Sequence, residues 1–305
     1  MELRDRLQYE WSKSNNVVMR IIMINVAVYL LFATIVIISK FGGFPALQDF
    51  AIKALYLPAD FMDVLYRPWT LITHAFTHSL GDTLHIIFNM LIFYWFGNIV
   101  VSEAGSNRLL GVYVWGIFAG ATAFLMLYNL VPYFIAFKPH MAGAIGASAA
   151  VDAVVVAAAT LLPNTKMRLL FFGEVSLKWI ALAVVLMSFV SLAGGNAGGN
   201  MAHLGGALMG YLFVVQYRKG NDWSKPVVSF VTFFQNIFKR KPKMKAYRGG
   251  SAASDEAYNQ QKQARAKKST EEQNTIDEIL DKISASGYES LTQKEKQILF
   301  QASKK

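Results

Sequence analysis

Two residues in this chain could form a nucleophile and its base. Ser148 lies in Gly146-Ala147-Ser148-Ala149-Ala150, and His203 lies in Ala202-His203-Leu204-Gly205-Gly206. A hydroxyl nucleophile needs small neighbours, so that a substrate backbone can approach, and a base to take its proton. His203 is the histidine nearest the end of the apolar part of the chain, which makes it the candidate base. His85 and Asn89 are four residues apart and share one helix face. Both can donate hydrogen bonds where negative charge develops in an acyl-transfer reaction. The amide of Ser148, near a helix N-terminus, is a third candidate donor. Asp152 follows Ser148 by one helical turn, so its carboxylate could reach the second nitrogen of the His203 ring, as a buried carboxylate does in serine hydrolases.

Each residue also has an ordinary explanation. Serine in an apolar helix commonly bonds its own backbone. A lone intramembrane histidine can join two helices or serve a proton path. His85 and Asn89 could simply pin helices together. Asp152 could be protonated, or face water or a polar partner on another helix. The arrangement argues for a site because four polar residues on three helices fall at one depth.

The elements that must position them are long apolar runs between residues 17 and 217, whereas charge gathers in the last third. Hydrophobic residues make up 54% of the chain and charged residues only 16%, a segregation that membrane spans require and a soluble core does not. Six spans are expected: Val17 to Ile38, Thr83 to Val101, Leu109 to Leu130, Ile145 to Leu162, Ser176 to Ala193 and Met201 to Tyr217. The last three are at or near the short end for a crossing of about 20 residues. Arg4, Arg6, Lys13, Arg20, Lys166, Arg168, Arg218 and Lys219 then fall on one side, which is cytoplasmic by the positive-inside rule. That rule also accounts for the net charge of +10 without nucleic acid. Gly206 and Gly210 lie on one face of the last span, where small residues let helices approach closely. The chain has no cysteine, so disulfides, thiolate nucleophiles and cysteine metal sites are excluded. Past Tyr217 the sequence reads as a basic and polar linker over 218–270. A short helical pair follows over 271–305, with capping-box spacings at Thr275/Glu278 and Thr292/Glu295.

The motifs Gly146-Ala147-Ser148, Ala202-His203-Leu204-Gly205-Gly206-Ala207-Leu208-Met209-Gly210 and His85-Ile86-Ile87-Phe88-Asn89 together resemble those of the rhomboid intramembrane proteases. The stretch from Trp69 to His78 is similar to that family's region before the second span. The resemblance covers about residues 17 to 217. It implies an all-α polytopic membrane protein built on a six-helix bundle, with Ser148 as nucleophile, His203 as general base, and His85 and Asn89 at the oxyanion. It implies cleavage of transmembrane or membrane-adjacent segments of other proteins, with no metal and no cofactor. The chain departs from the family pattern twice: Ala149 stands where glycine is common after the serine, and Asp152 where an aromatic residue commonly stacks on the histidine. The competing reading is a catalytically silent relative that binds transmembrane segments. A transporter would show internal repeats, and none is evident. A metalloprotease would need a glutamate between His74 and His78, and the sequence has none there. The expected setting is a bacterial inner membrane, with both termini cytoplasmic and 1–16 as a cytoplasmic lead.

Overall fold

The computed structural model of the chain describes residues 16–138, 143–169, 173–238, 267 and 273–302. It divides into two compact units, 1–239 and 240–305.

The first unit opens with α1 (Val17–Gly42), whose first turn is capped by the Asn16 side chain accepting from the Met19 amide. The segment between the first two expected spans holds two helices, α2 (Pro45–Leu55) and α3 (Phe61–Tyr66). Asp60 caps α3 through the Met62 amide and pairs with Lys138 at 2.5 Å. These contacts hold its carboxyl below the ordinary value, the Lys138 contact most strongly. Two single turns, Thr70–Thr73 and His74–Phe76, lead to α4 (Thr83–Ala104), which Asp82 caps. Only Gly105, at φ 88°, separates α4 from α5 (Ser106–Leu130).

The next helix, α6 (Ser148–Leu161), is the centre of the bundle. Residues 149–151, 153–155 and 157–159 are all buried, whereas Ser148, Asp152, Val156 and Thr160, four apart on one face, are only partly so. It packs against α4, α5, α7 (Leu177–Val190) and α8 (Ala197–Arg218). Between α6 and α7 lies an antiparallel hairpin of β1 (Lys166–Leu169) and β2 (Gly173–Ser176), registered Met167 to Val175 and Arg168 to Glu174. The α6–α8 seam is a backbone contact: a Cβ on Gly206 would overlap the carbonyl of Ala149, and one on Gly210 that of Ala153. At the far end, the Arg218 guanidinium donates to the carbonyls of Thr160 at 2.8 Å and Leu161 at 3.2 Å. It thereby satisfies acceptors that a helix C-terminus leaves open.

Among the described residues three helices, α1, α4 and α5, are long and apolar enough to cross a membrane. The fourth expected span begins at Ser148 rather than Ile145 and has 14 residues, about 21 Å of helix at 1.5 Å per residue.

The stretch after Tyr217, read from the sequence as linker, contains α9 (Ser224–Phe238). Asp222 caps it through the Ser224 amide and hydroxyl and pairs with Arg108 at 2.7 Å. Burial works against the Asp222 charge, but the Ser224 bonds and Arg108 leave its carboxyl below the ordinary value. Trp115 Nε1 donates to the Trp223 carbonyl at 2.8 Å, and α9 packs along α5.

In the second unit, α10 (273–286) and α11 (Gln293–Ala302) are joined through Gly287 at φ 77°. Thr292 and Glu295 form a reciprocal cap, whereas Thr275 lies inside a helix already formed at 273. Ile279 and Leu291 are buried, and Leu280 is exposed.

Candidate active site

The site is assembled at the start of α6. The chain approaching Ser148 is held by the segment before α4. Leu57 and Ala144 exchange both backbone hydrogen bonds, at 3.0 and 2.8 Å. The Gly146 amide donates to the His74 carbonyl at 2.9 Å, and the Ala147 amide approaches His78 Nε2 at 3.4 Å. His74 Nδ1 lies 2.8 Å from the Thr70 carbonyl. Burial pushes both imidazoles down to about 4, helped at His78 by the charge of His85. Both rings are therefore neutral at pH 7. A neutral His74 must carry its proton on Nδ1 to donate to Thr70, and a His78 that accepts at Nε2 carries its proton on Nδ1. In sequence these two histidines stand four apart without the glutamate that a metal pair would need. Their observed work is to hold backbone.

Gly146 turns the chain into the helix at φ 121°, a conformation side chains disfavour. Ser148 is then the first residue of α6, where backbone amides have no partner within the helix. The glycine of the Gly-x-Ser motif is thus required by conformation. The alanine after the serine has a steric explanation: Ala149 fits because α5 presents Gly120, where an added Cβ would lie 2.5 Å from that of Ala149.

His203, half-buried on α8, places Nε2 2.6 Å from Ser148 Oγ. Its Nδ1 is 3.6 Å from Asp152 Oδ2, beyond the roughly 3.2 Å reach of an N–H···O bond. His85 lies against the turn, its Cε1 3.4 Å from where a Cβ on Gly146 would sit, and its ring is edge-on to His78 at 5.9 Å. Asn89 is buried on α4, but its amide donates to the His85 carbonyl of its own helix at 2.8 Å. One N–H of that amide is left to face elsewhere. The structure therefore brings Ser148, His203 and Asp152 together, sets His85 beside the turn, and leaves Asn89 bonded within α4.

A cavity of about 30 Å³ adjoins Ser148, between Leu57, Gly120, Gly146, Ala149, Gly199 and Ala202. Such a space admits one water or a methyl-sized group. The chemistry available is acyl transfer: a hydroxyl with its base in contact, amides at a helix N-terminus, and a narrow recess beside them.

A family model described as Rhomboid domain matches residues 66–219, half of the chain, and one for a family of unknown function (DUF6576) matches 253–305. The RHOMBOID-like protein 12, mitochondrial, of Arabidopsis thaliana is 31% identical over 165 residues, 50% of this chain and 48% of its own. The Presenilin-associated rhomboid-like protein A, mitochondrial, of Danio rerio is 25% identical over 203 residues, 65% of this chain and 50% of its own. The chain spans about half the length of these curated relatives.

Proposed function

The chain belongs to the rhomboid family, and we propose that it is an intramembrane serine endopeptidase. The observation that carries this reading is the 2.6 Å contact between His203 Nε2 and Ser148 Oγ at the start of a helix too short to cross a bilayer. A hydrocarbon core is about 30 Å thick, and α6 supplies about 21 Å. With its Arg218-capped end at the cytoplasmic face, α6 leaves Ser148 below the opposite surface, where a recess can hold water. In this reading α1, α4, α5, α6, α7 and α8 are six spans, and the chain enters and leaves the bundle on the cytoplasmic side.

In the proposed reaction His203 takes the Ser148 proton while Oγ attacks the scissile carbonyl. The oxyanion forms beside the Ser148 amide, with His85 and the second N–H of Asn89 as further donors. The imidazolium returns the proton to the leaving nitrogen, and water, activated by the same histidine, hydrolyses the acyl-serine. The cavity of about 30 Å³ selects a small residue before the cut. The substrates are transmembrane or membrane-adjacent segments of other membrane proteins. Both relatives are named as mitochondrial, which weighs against the bacterial inner membrane expected from the sequence.

The test is incubation of the protein in liposomes with a generic transmembrane substrate, beside Ser148→Ala. Cleavage by the wild type alone supports the reading. Absence of cleavage, with Ser148 also inert to a serine-directed probe, supports a catalytically silent protein that binds transmembrane segments.

A further inference from the structure

Asp152 is the charged side chain of α6, in a helix whose neighbouring positions 151 and 153–155 are buried among apolar groups. Its side chain is 15% exposed, and among the described residues His203 is its ionisable neighbour within 4 Å. A carboxylate at that depth is costly unless it has a partner, and the imidazole is the partner present.

We propose that Asp152 is the positioning residue of His203: its carboxylate fixes the Nδ1–H tautomer and steadies the imidazolium formed during turnover. The inference rests on the protease reading. For Nε2 to accept the Ser148 proton, the neutral ring must carry its own proton on Nδ1. Asp152 Oδ2 lies 3.6 Å from that nitrogen, just beyond hydrogen-bond reach in the resting geometry. Catalytic contacts are often long in a free enzyme and tighten as charge develops. When Ser148 Oγ bonds to the carbonyl carbon, the carbonyl electron pair moves to oxygen and the serine proton passes to Nε2. The ring is now cationic and draws the carboxylate in. Asp152 keeps its charge and takes no proton, and the proton on Nε2 leaves with the departing nitrogen. An aromatic ring stacked at this position orients the imidazole and offers its cation only the partial charge of a π face. A carboxylate orients it and also opposes its charge.

The test has two parts. In liposomes, Asp152→Asn and Asp152→Ala should each lower kcat about 10- to 100-fold with KM unchanged, and Asp152→Glu should recover part of the loss. Thermal unfolding of each variant separates this from misfolding. Independently of any substrate, nitrogen NMR of histidine-labelled wild-type protein should show His203 as the Nδ1–H tautomer, and Asp152→Ala should mix the two tautomers. An Nε2–H tautomer in the wild type, or full turnover by Asp152→Asn, would overturn the proposal. A wild-type protein that cleaves nothing yet shows the Nδ1–H tautomer would sink the protease reading and leave the Asp152 contact standing.

Discussion

The helices α6 and α7 have the same length and are almost equally apolar, yet they are packed in opposite ways. In α6 nine of 14 residues are buried, from Ala149 to Ala159. In α7 only Leu177, Ala181 and Ser188 are, while Trp179, Leu182, Leu186, Met187, Phe189 and Val190 are exposed. The difference lies in side-chain size. Ala149, Ala150 and Ala153 on α6 meet glycine on both sides, Gly116 and Gly120 on α5 and Gly206 and Gly210 on α8, so three backbones close together. The large residues of α7 cannot approach in that way and spread over its outer surface. A helix with few buried contacts opens at low cost. The pairing therefore sets a tightly packed post carrying Ser148 beside a helix with few buried residues.

The largest expected effect tests the rigid side. Ser148→Ala and His203→Ala should each abolish cleavage without loss of folding, and the double variant should be no worse than either, because the pair acts as a unit. Ordinary turnover by Ser148→Ala would break the comparison, since α6 would then carry nothing.

Gly206→Leu should disrupt the α6–α8 seam and cost about 3 kcal/mol or more, because the added atoms meet backbone that cannot yield. Leu186→Ala on α7 should cost under about 0.5 kcal/mol. Thermal unfolding of both, with hydrogen exchange of α6 and α7 amides, measures the contrast. Equal costs would remove the distinction.

A third effect concerns α4, which lines α6. Asn89→Ala should lower turnover about 100- to 1,000-fold if its free N–H serves the oxyanion. Weaker substrate binding at unchanged turnover would instead make Asn89 a structural residue, as its bond to the His85 carbonyl allows.

Acid should loosen the approach to α6 while sparing α7. His74 and His78 titrate at about 4 in the folded protein, below the ordinary 6.5. Between those values the unfolded chain binds the extra protons, so stability falls as pH drops from 6.5 towards 4 and is flat above. Each histidine contributes up to about 3 kcal/mol of that loss at the lower end. Unfolding at pH 7 and pH 5, in wild type and in His78→Asn, checks the sign and the source.

The smallest effect is expected at the tail. A chain ending at Lys239 keeps α9 and its Asp222–Arg108 pair and should cleave as the whole chain does. One ending after Arg218 bares Gly111 and Trp115 on α5 and should unfold at lower temperature. Loss of activity in the chain ending at Lys239 would give 240–305 a role in catalysis.

Much of the site was legible in the sequence because spacing on a helix fixes which residues share a face. Ser148 with Asp152, His85 with Asn89, and Gly206 with Gly210 could all be paired on that ground. The Thr292–Glu295 cap was legible for the same reason: its partners are three residues apart. Helix α9 carries Val227, Phe230, Val231 and Phe234 at helical spacing, but the basic run that follows gives the whole stretch the composition of a linker.

The sequence alone determined the apolar spans, the order of the motifs and the membership that follows from them, since these depend on composition and local period. Tertiary structure decided what depends on distance across the chain. It set His203 2.6 Å from Ser148 but Asp152 3.6 Å from the same ring, and it turned the Asn89 amide onto its own helix. It also made backbone clamps of His74 and His78. Side-chain direction and helix-to-helix approach are set by packing between residues far apart in sequence, and no local pattern encodes them.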